Sequence, residues 1–234
     1  MITYLLDDTD ISPRVQTLLA QADALIGRGH EVRIVTTADG PVNWRASNAA
    51  WELVDDFAAV SGDVILDGSF PWSDFLIVDD AMYRRGTPRE HEPPRVLLDG
   101  AGVPNGYGAA IHARWFHQTF DLIRVSPWAP SREEPLDAVQ EFHVALTTPE
   151  MTRLIHSCDL LLAPEIGLRA AEAMAAGVPV VSVDGDDPVA LGERLIEVLS
   201  DEELREKMRE LGRKEAEQWR AERVVGRLEA FLKR

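Results

Sequence analysis

Residues 158–183 read CDLLLAPEIGLRAAEAMAAGVPVVSV, and this stretch decides the fold class. An apolar run ends at Pro164, helix-forming residues continue from Leu168 to a glycine at position 177, and a second apolar run follows. The pattern predicts a strand, a helix over residues 168–176 and another strand, because a glycine commonly closes a helix in the left-handed conformation. A strand–helix–strand unit of this kind indicates a parallel sheet whose faces are covered by helices.

The same alternation continues along the rest of the 234-residue chain. Strands are predicted at residues 2–6 and 32–36, and the apolar spacing between them predicts a helix over residues 15–28 that stops at Gly29. The fold class is therefore α/β. The other predicted strands are 64–66, 75–78, 95–98, 122–125, 142–147 and 159–163, and the other predicted helices are 49–57, 111–120, 149–157 and most of 188–234.

Acidic residues outnumber basic ones in this chain. Forty Asp and Glu against 24 Lys and Arg give a formal net charge of −16 and an isoelectric point near 4.7. Such a surface repels phosphate backbones, so no nucleic-acid partner is expected. The single cysteine, Cys158, excludes a disulfide framework. The sequence has neither a run of about 20 apolar residues nor a secretory leader, which predicts a cytoplasmic protein without a transmembrane segment.

Lysine is confined to the end of the chain, at positions 207, 214 and 233. This distribution excludes a Walker phosphate-binding loop and a protein-kinase site, because both place a lysine beside the phosphates. Asp8 and Asp10 have the D-x-D spacing of aspartate-dependent phosphatases. That chemistry also needs a cation near the phosphate, which argues against it here.

Aspartates follow three of the predicted strands, at Asp7 and Asp8, at Asp79 and Asp80, and at Asp99. Ligands of open parallel sheets bind at the carboxyl ends of the strands. Acids at these ends could bind a divalent metal ion, accept hydrogen bonds from sugar hydroxyls, or simply lie where solvent begins. The residues alone leave these three interpretations open.

The turn between the strand and the helix at residues 164–168 is a candidate anion site. The first N–H groups of a helix have no carbonyl partner within it, and the positive end of the helix dipole lies there. Gly167 would let a ligand approach the backbone closely. Glu172, one turn further on, could accept hydrogen bonds from the two hydroxyls of a ribose.

Residues 172–181, EAMAAGVPVV, have the pattern E-A-M-A-x-G-x-P-V-V. The whole stretch 158–183 resembles the donor-site signature of the retaining, group-1 (family 4) glycosyltransferases of GT-B fold. The resemblance continues in residues 11–35, which are similar to the family's first helix and R-G-H-E-V turn, and in the V-S-x-W of residues 125–128. Residues 188–234 are similar to the helices that end the family's chains.

The resemblance implies two Rossmann-like lobes. Residues 1–130 would form the acceptor-side domain, residues 131–234 a reduced donor-side domain, and the last helix would cross back to the first lobe. It also implies transfer of a sugar from a nucleotide-sugar to an acceptor with retention of configuration. No cofactor and no metal ion are expected, Mg²⁺ included. A shortened second lobe would leave sheet edges uncovered, which favours a homodimer.

The same resemblance assigns site residues by position in the motif, with two arginines added to balance phosphate charge. The predicted catalytic residues are Glu165 and Asp80, the donor-binding residues are Gly167, Leu168, Arg169, Glu172 and Arg14, and the acceptor-side residues are Ser12 and Asp79.

Two departures from the family pattern keep a second interpretation open. Six residues separate Glu165 from Glu172, where the family has seven, and the basic G-R…K-G diphosphate clamp of the family is absent. The alternative is a non-catalytic GT-B-like homologue that binds a nucleotide or a sugar, or that acts as a partner subunit.

Overall fold

The computed structural model describes residues 1–38, 40–84, 93–99, 120–126, 141–163, 166–182 and 188–233. The longest helices have 15 residues, and within these ranges no helix is long and apolar enough to cross a membrane. In chain order the strands and helices are β1 (Ile2–Leu6), α1 (Pro13–Gly27), β2 (Val32–Thr36), β3 (Ala50–Leu53), β4 (Val64–Leu66), β5 (Arg95–Asp99), β6 (Asp121–Ser126), β7 (Glu141–Val144), α2 (Thr148–His156), β8 (Leu160–Leu162), α3 (Leu168–Ala176), β9 (Val180–Val181), α4 (Pro188–Ser200), α5 (Glu202–Ala216) and α6 (Ala221–Leu232).

The chain divides into two compact units. Met1–Val78 and Gln218–Arg234 form the first unit, and Asp79–Glu217 form the second. The predicted boundary near residue 130 lies outside the described residues. The observed division differs from the predicted one because β5 and β6, which the sequence assigned to the first domain, belong to the second sheet, where β5 pairs with β8.

The first unit contains a sheet of four parallel strands in the order β3-β2-β1-β4. Its inner strand β1 buries Ile2, Tyr4 and Leu6. Helix α1 follows because Ser12 caps it, with the serine hydroxyl accepting a hydrogen bond from the amide of Val15 at 3.2 Å. This β1–α1–β2 unit confirms the α/β prediction in the first half of the chain.

The last helix, α6, packs against α1 within the first unit. Its buried side chains Val224, Val225 and Leu228 join the core that β1 and α1 form. The chain therefore enters the second unit and returns, which confirms the prediction that the last helix crosses back.

Glu229 of α6 is held by two residues that follow α1. Arg28 donates to its carboxylate, with Nη2 3.0 Å from Oε2, and His30 Nε2 lies 2.8 Å from Oε1. The hydrogen bond from Arg28, followed by that from His30, lowers the pKa of Glu229 from 4.5 to about 2. This cluster fixes the C-terminal helix to the end of α1.

Glu229→Gln is expected to lower the thermal unfolding midpoint at neutral pH and to lose this effect in acid. A carboxylate whose pKa is lower in the folded than in the unfolded protein stabilises the folded state at pH values above its ordinary pKa. This contribution disappears as the pH falls from about 4.5 to about 2. Thermal unfolding of both proteins between about pH 7 and about pH 3 checks this. Glu222→Gln, at an exposed carboxylate of the same helix, is the control. A midpoint difference that does not shrink in acid contradicts the prediction.

The second unit contains a sheet of five parallel strands in the order β7-β6-β5-β8-β9. One face of this sheet packs against α4. The second unit therefore has its own hydrophobic core, separate from that of the first unit. Both units are thus parallel sheets with helices on them. The fully buried members of this core are Val96, Leu98, Leu122, Leu160, Leu162, Leu195 and Val198.

The strand predicted at residues 75–78 is wrong. Trp72–Phe75 is a 3-10 helix, and residues 76–79 join no sheet. The run is apolar because Phe75 and Ile77 pack into the core of the first unit. A short apolar run signals burial, and burial occurs here without pairing of the backbone in a sheet.

The helix predicted over residues 49–57 is also wrong. Its first part is the edge strand β3, which pairs in parallel with β2 so that Ala50 lies opposite Arg33 and Leu53 opposite Thr36. β3 is largely exposed, so no alternation of apolar residues marks it as a strand. The helix predicted over residues 111–120 lies outside the described residues except at position 120.

Helix α3 ends as the sequence predicts, at a glycine in the left-handed conformation. Gly177 has φ +75°, and its amide donates to the carbonyl of Met174 at 3.0 Å. A Cβ built on this residue would collide with the guanidinium of Arg213 on α5. The guanidinium is the end of a flexible side chain and can move aside, so it is the backbone conformation that requires glycine at this position.

Gly177→Ala is expected to lower the free energy of unfolding by about 1–2 kcal/mol, the cost of a left-handed alanine. Gly226→Ala is the matched control, because Gly226 lies inside α6 and a Cβ there meets no atom within 4 Å. That control should be neutral or stabilising. Urea unfolding of the three proteins measures both effects, and equal stabilities of the two variants would contradict the assignment.

Candidate functional site

The candidate site lies in the second unit, where β8 leads into α3. β8 is an inner strand of the sheet, between β5 and β9, and all three leucines of β8 are fully buried. The chain then passes through Ile166, which is 49 % exposed, and enters α3 after Gly167. The N-terminus of a helix thus follows the carboxyl end of an inner parallel strand, an arrangement that favours anions.

Gly167 is the N-cap residue of α3. Its dihedral angles, φ −102° and ψ −162°, are extended values that any residue adopts. A Cβ built here would meet no atom within 4 Å. Neither backbone conformation nor packing therefore requires glycine at this position, in contrast to Gly177. A side chain at this position would instead fill the open space beside the helix N-terminus, which a ligand could occupy.

Arg169 and Glu172 form a buried ion pair on the first two turns of α3. The Nη1 atom of Arg169 donates to Oε2 of Glu172 at 2.6 Å, and the two side chains are only 7 % and 4 % exposed. The residues are three apart, which places them on one face of the helix. Leu168, the first helical residue, is buried as well. The predicted donor-binding residues of α3 thus lie side by side.

Asp79 and Asp80 come long before α3 in the sequence but belong to the same unit. Asp79 caps the 3-10 helix Asp80–Tyr83, its Oδ1 accepting a hydrogen bond from the amide of Ala81 at 2.8 Å. This short helix packs against α3, and the hydroxyl of Tyr83 donates to the carbonyl of Ala216 at the end of α5. Both aspartates are exposed.

The structure therefore corrects the expected environment of these two acids. The sequence predicts them at the carboxyl end of a strand in the first lobe. Residues 76–78, directly before them, form no strand, and the two acids belong to the second unit. Their acceptor-side and catalytic roles stay predictions. Glu165, the other predicted catalytic residue, lies outside the described residues.

Ser12 and Arg14 lie in the first unit, at the start of α1. The Ser12 hydroxyl caps the helix, as described above. Arg14 Nη1 lies 2.7 Å from Oδ1 of Asp7 and 3.6 Å from Oδ2 of Asp8, at the carboxyl end of β1. The hydrogen bond from Arg14 lowers the pKa of Asp7 below its ordinary value. The structure thus shows Arg14 bound to two carboxylates, and its role toward a phosphate stays a prediction.

The aspartates that the sequence predicts at strand ends are divided between the two units. Asp7 and Asp8 lie in the first unit, and Asp79, Asp80 and Asp99 in the second. Within the ranges that the structure describes, no three carboxylate, histidine or cysteine side chains come together as a candidate metal site.

One buried cation was not singled out from the sequence. Arg124 of β6 is 5 % exposed, and its burial lowers its pKa. In the sheet it lies between Leu98 of β5 and Phe142 of β7. A charged residue within the apolar inner part of this strand, LIRV, is the signal that could have identified it.

The fold described above is similar to solved structures of glycosyltransferases. WaaG, a glycosyltransferase involved in lipopolysaccharide biosynthesis, matches with a TM-score of 0.70 at 13 % identity, over 99 % of each chain. A sucrose-phosphate synthase from Thermosynechococcus elongatus matches with a TM-score of 0.67 at 10 % identity, over 99 % of this chain and 98 % of the other. The chain has the GT-B fold.

The structure of a glycosyltransferase from Rickettsia africae ESF-5 is also similar, with a TM-score of 0.66 and 11 % identity over 99 % of this chain and 97 % of the other. No family model and no curated protein matches the chain. At these identities the GT-B similarity concerns the fold, which confirms the fold inferred from residues 158–183. The ligands and reactions of these structural neighbours are theirs and do not carry over to this chain from a similarity of fold.

Proposed function

We propose that the chain is a retaining glycosyltransferase that takes its sugar from a nucleotide-sugar. The proposal rests on one observation: in a chain of GT-B fold, the N-terminus of α3 follows β8 with an unfilled space at Gly167 and a buried carboxylate, Glu172, one turn further on. These are the parts that a nucleoside diphosphate needs, namely N–H donors for phosphate oxygens and an acceptor for ribose hydroxyls.

In this proposal, α3 binds the donor through its backbone and through Glu172. The amides of Gly167 and Leu168 point along the helix axis toward the diphosphate, and the positive end of the helix dipole stabilises its charge. The carboxylate of Glu172 accepts hydrogen bonds from the ribose. Glu165 and Asp80 are the proposed catalytic residues, and Asp79 is an acceptor-side residue.

The reaction breaks the bond between the anomeric carbon and the diphosphate oxygen, and that electron pair leaves with the diphosphate. The acceptor hydroxyl oxygen bonds to the anomeric carbon on the same face, and its proton passes to the departing phosphate oxygen. Negative charge develops on the leaving group, so preorganised donors at the N-terminus of α3 would contribute most to the rate. Positioning of the acceptor hydroxyl next to the anomeric carbon supplies the rest of the rate enhancement.

A second function, nucleotide binding without transfer, is favoured by the charges of this chain. No lysine precedes position 207. In α3, the arginine nearest the proposed phosphate site donates to Glu172. A diphosphate bound with few cations loses charge-assisted hydrogen bonds of about 1.5–3 kcal/mol each. This loss slows turnover most, because the leaving group gains negative charge in the transition state.

Incubation with UDP-, GDP- and ADP-glucose separates these two functions. Release of one nucleoside diphosphate, with the freed or transferred glucose initially in the α configuration by proton NMR, is expected of a retaining transferase. Glu172→Gln, which keeps the shape of the side chain and removes its charge, should slow that release. Initial β-glucose would contradict retention. Nucleotide binding with no release from any donor would favour the non-catalytic function.

A further inference from the structure

We infer that Arg169 is a positioning residue that orients Glu172 toward the ribose of the donor. This inference rests on the proposed function and changes one part of the sequence-based prediction, in which Arg169 balanced the charge of the diphosphate. It assigns the guanidinium to the carboxylate on its own helix.

The geometry of the pair supports this role. The 2.6 Å hydrogen bond joins two side chains on adjacent turns of α3, so the helix itself fixes the distance between their backbones. A guanidinium is planar and always charged, and it therefore restricts the direction of the carboxylate that it binds. A carboxylate accepts up to about four hydrogen bonds, and the bond from Arg169 accounts for one of them.

Burial explains why Glu172 needs such a partner. Its side chain is 4 % exposed, and a carboxylate in such surroundings is costly unless it is paired and hydrogen-bonded. By holding Glu172 in one orientation, Arg169 prepares it for two hydroxyl donors before the nucleotide arrives.

The pairing also argues against Arg169 as a phosphate ligand. To bind a phosphate oxygen, its guanidinium would have to give up or share the 2.6 Å bond to Glu172. The backbone amides at Gly167 and Leu168 can approach a phosphate without this rearrangement. The structure therefore favours amides for the phosphates and the Arg169–Glu172 pair for the ribose.

Calorimetric titrations with ribose and 2′-deoxyribose nucleotides test the inference. The nucleoside diphosphate that binds wild-type protein most tightly among UDP, GDP and ADP is compared with its 2′-deoxy form, for wild type, Arg169→Met and Arg169→Lys. Wild type is expected to prefer the ribose form by about tenfold or more, the effect of a hydrogen bond to a charged group. Arg169→Met should reduce this preference to near unity, and Arg169→Lys should keep an intermediate preference. Circular dichroism checks that each variant is folded.

The alternatives give different results. Equal loss of affinity for the ribose and deoxyribose forms in Arg169→Met would overturn the inference and identify Arg169 as a phosphate ligand. A ribose preference that survives in Arg169→Met would also overturn the inference and leave the proposed function standing. A wild type that binds a nucleotide without preferring its ribose form would overturn the inference together with the ribose-binding role proposed for Glu172. Failure of wild type to bind any of the three nucleotides would overturn both.

Discussion

Glu172→Ala is expected to lower the free energy of unfolding by about 3 kcal/mol, the cost of leaving a buried charge without its partner. The substitution removes the carboxylate that Arg169 binds at 2.6 Å, in a region where both side chains are at most 7 % exposed. Chemical unfolding of wild type and variant measures the loss. A double substitution, Arg169→Met with Glu172→Ala, should recover part of it, because the stranded charge is then gone.

An exposed ion pair of the same spacing provides the control. Arg194 and Glu197 are also three residues apart on a helix of the second unit, but their side chains are 42 % and 56 % exposed. Glu197→Ala should therefore cost less than about 1 kcal/mol. Similar losses for Glu172→Ala and Glu197→Ala, or a double variant that is the least stable of all, would contradict the picture of a buried, coupled pair.

Leu98→Ala is expected to destabilise the second unit by about 2–5 kcal/mol. Leu98 is fully buried in β5, at the middle of the five-stranded sheet, and packs in the core that includes Leu122 and Leu162. Since β5 belongs to the second unit, hydrogen exchange should accelerate in β5, β6 and β8 more than in β1 and β2.

The matched control is the same substitution at an exposed edge. Leu53 of β3 is 63 % exposed, so Leu53→Ala should change the free energy of unfolding by no more than about 0.5 kcal/mol. Faster exchange confined to β1 and β2 in Leu98→Ala would contradict the assignment of β5 to the second unit. It would support instead the boundary that the sequence predicted near residue 130.

The elements that could be predicted from sequence are those whose burial and periodicity agree. The strand at residues 2–6 and the helix at residues 168–176 have the predicted bounds, because each is buried and ends at a clear polar or glycine signal. Residues 75–78 are equally apolar yet form no strand. Their backbone pairs with a segment that is distant in the sequence, since the amide of Val78 donates to the carbonyl of Trp219.

Domain organisation was harder to predict because it depends on which strands pair. β5 and β6 follow the first unit closely in the sequence, and nothing in their composition shows that β5 pairs with β8. Pairing partners of parallel strands are separated by crossovers, so local sequence patterns carry little information about them. The clustering of Arg28 and His30 around Glu229 is likewise invisible to local patterns.

The candidate site was predictable in part. The strand, the glycine N-cap and the acid of α3 lie where the motif placed them, because they are local features of residues 158–183. The pairing of Arg169 with Glu172 could also have been expected from their spacing of three residues on a helix. The environment of Asp79 and Asp80 could not, since it depends on packing between a 3-10 helix and α3.

The N-terminus of α3 is the proposed binding site for the diphosphate of a nucleotide. Calorimetric titration of UDP, GDP and ADP into wild type and Gly167→Asp tests it most directly. Aspartate is a better N-cap than glycine, so this variant should be at least as stable as wild type, while its carboxylate occupies the place proposed for phosphate. Gly167→Asn, a neutral cap of the same shape, separates charge from bulk.

Wild type is expected to bind one of the three nucleotides. Gly167→Asp is expected to weaken this binding by at least about tenfold, or about 1.4 kcal/mol, and Gly167→Asn is expected to weaken it less. Wild-type binding that Gly167→Asp leaves unchanged would contradict a phosphate site at α3, as would the absence of binding by all three nucleotides.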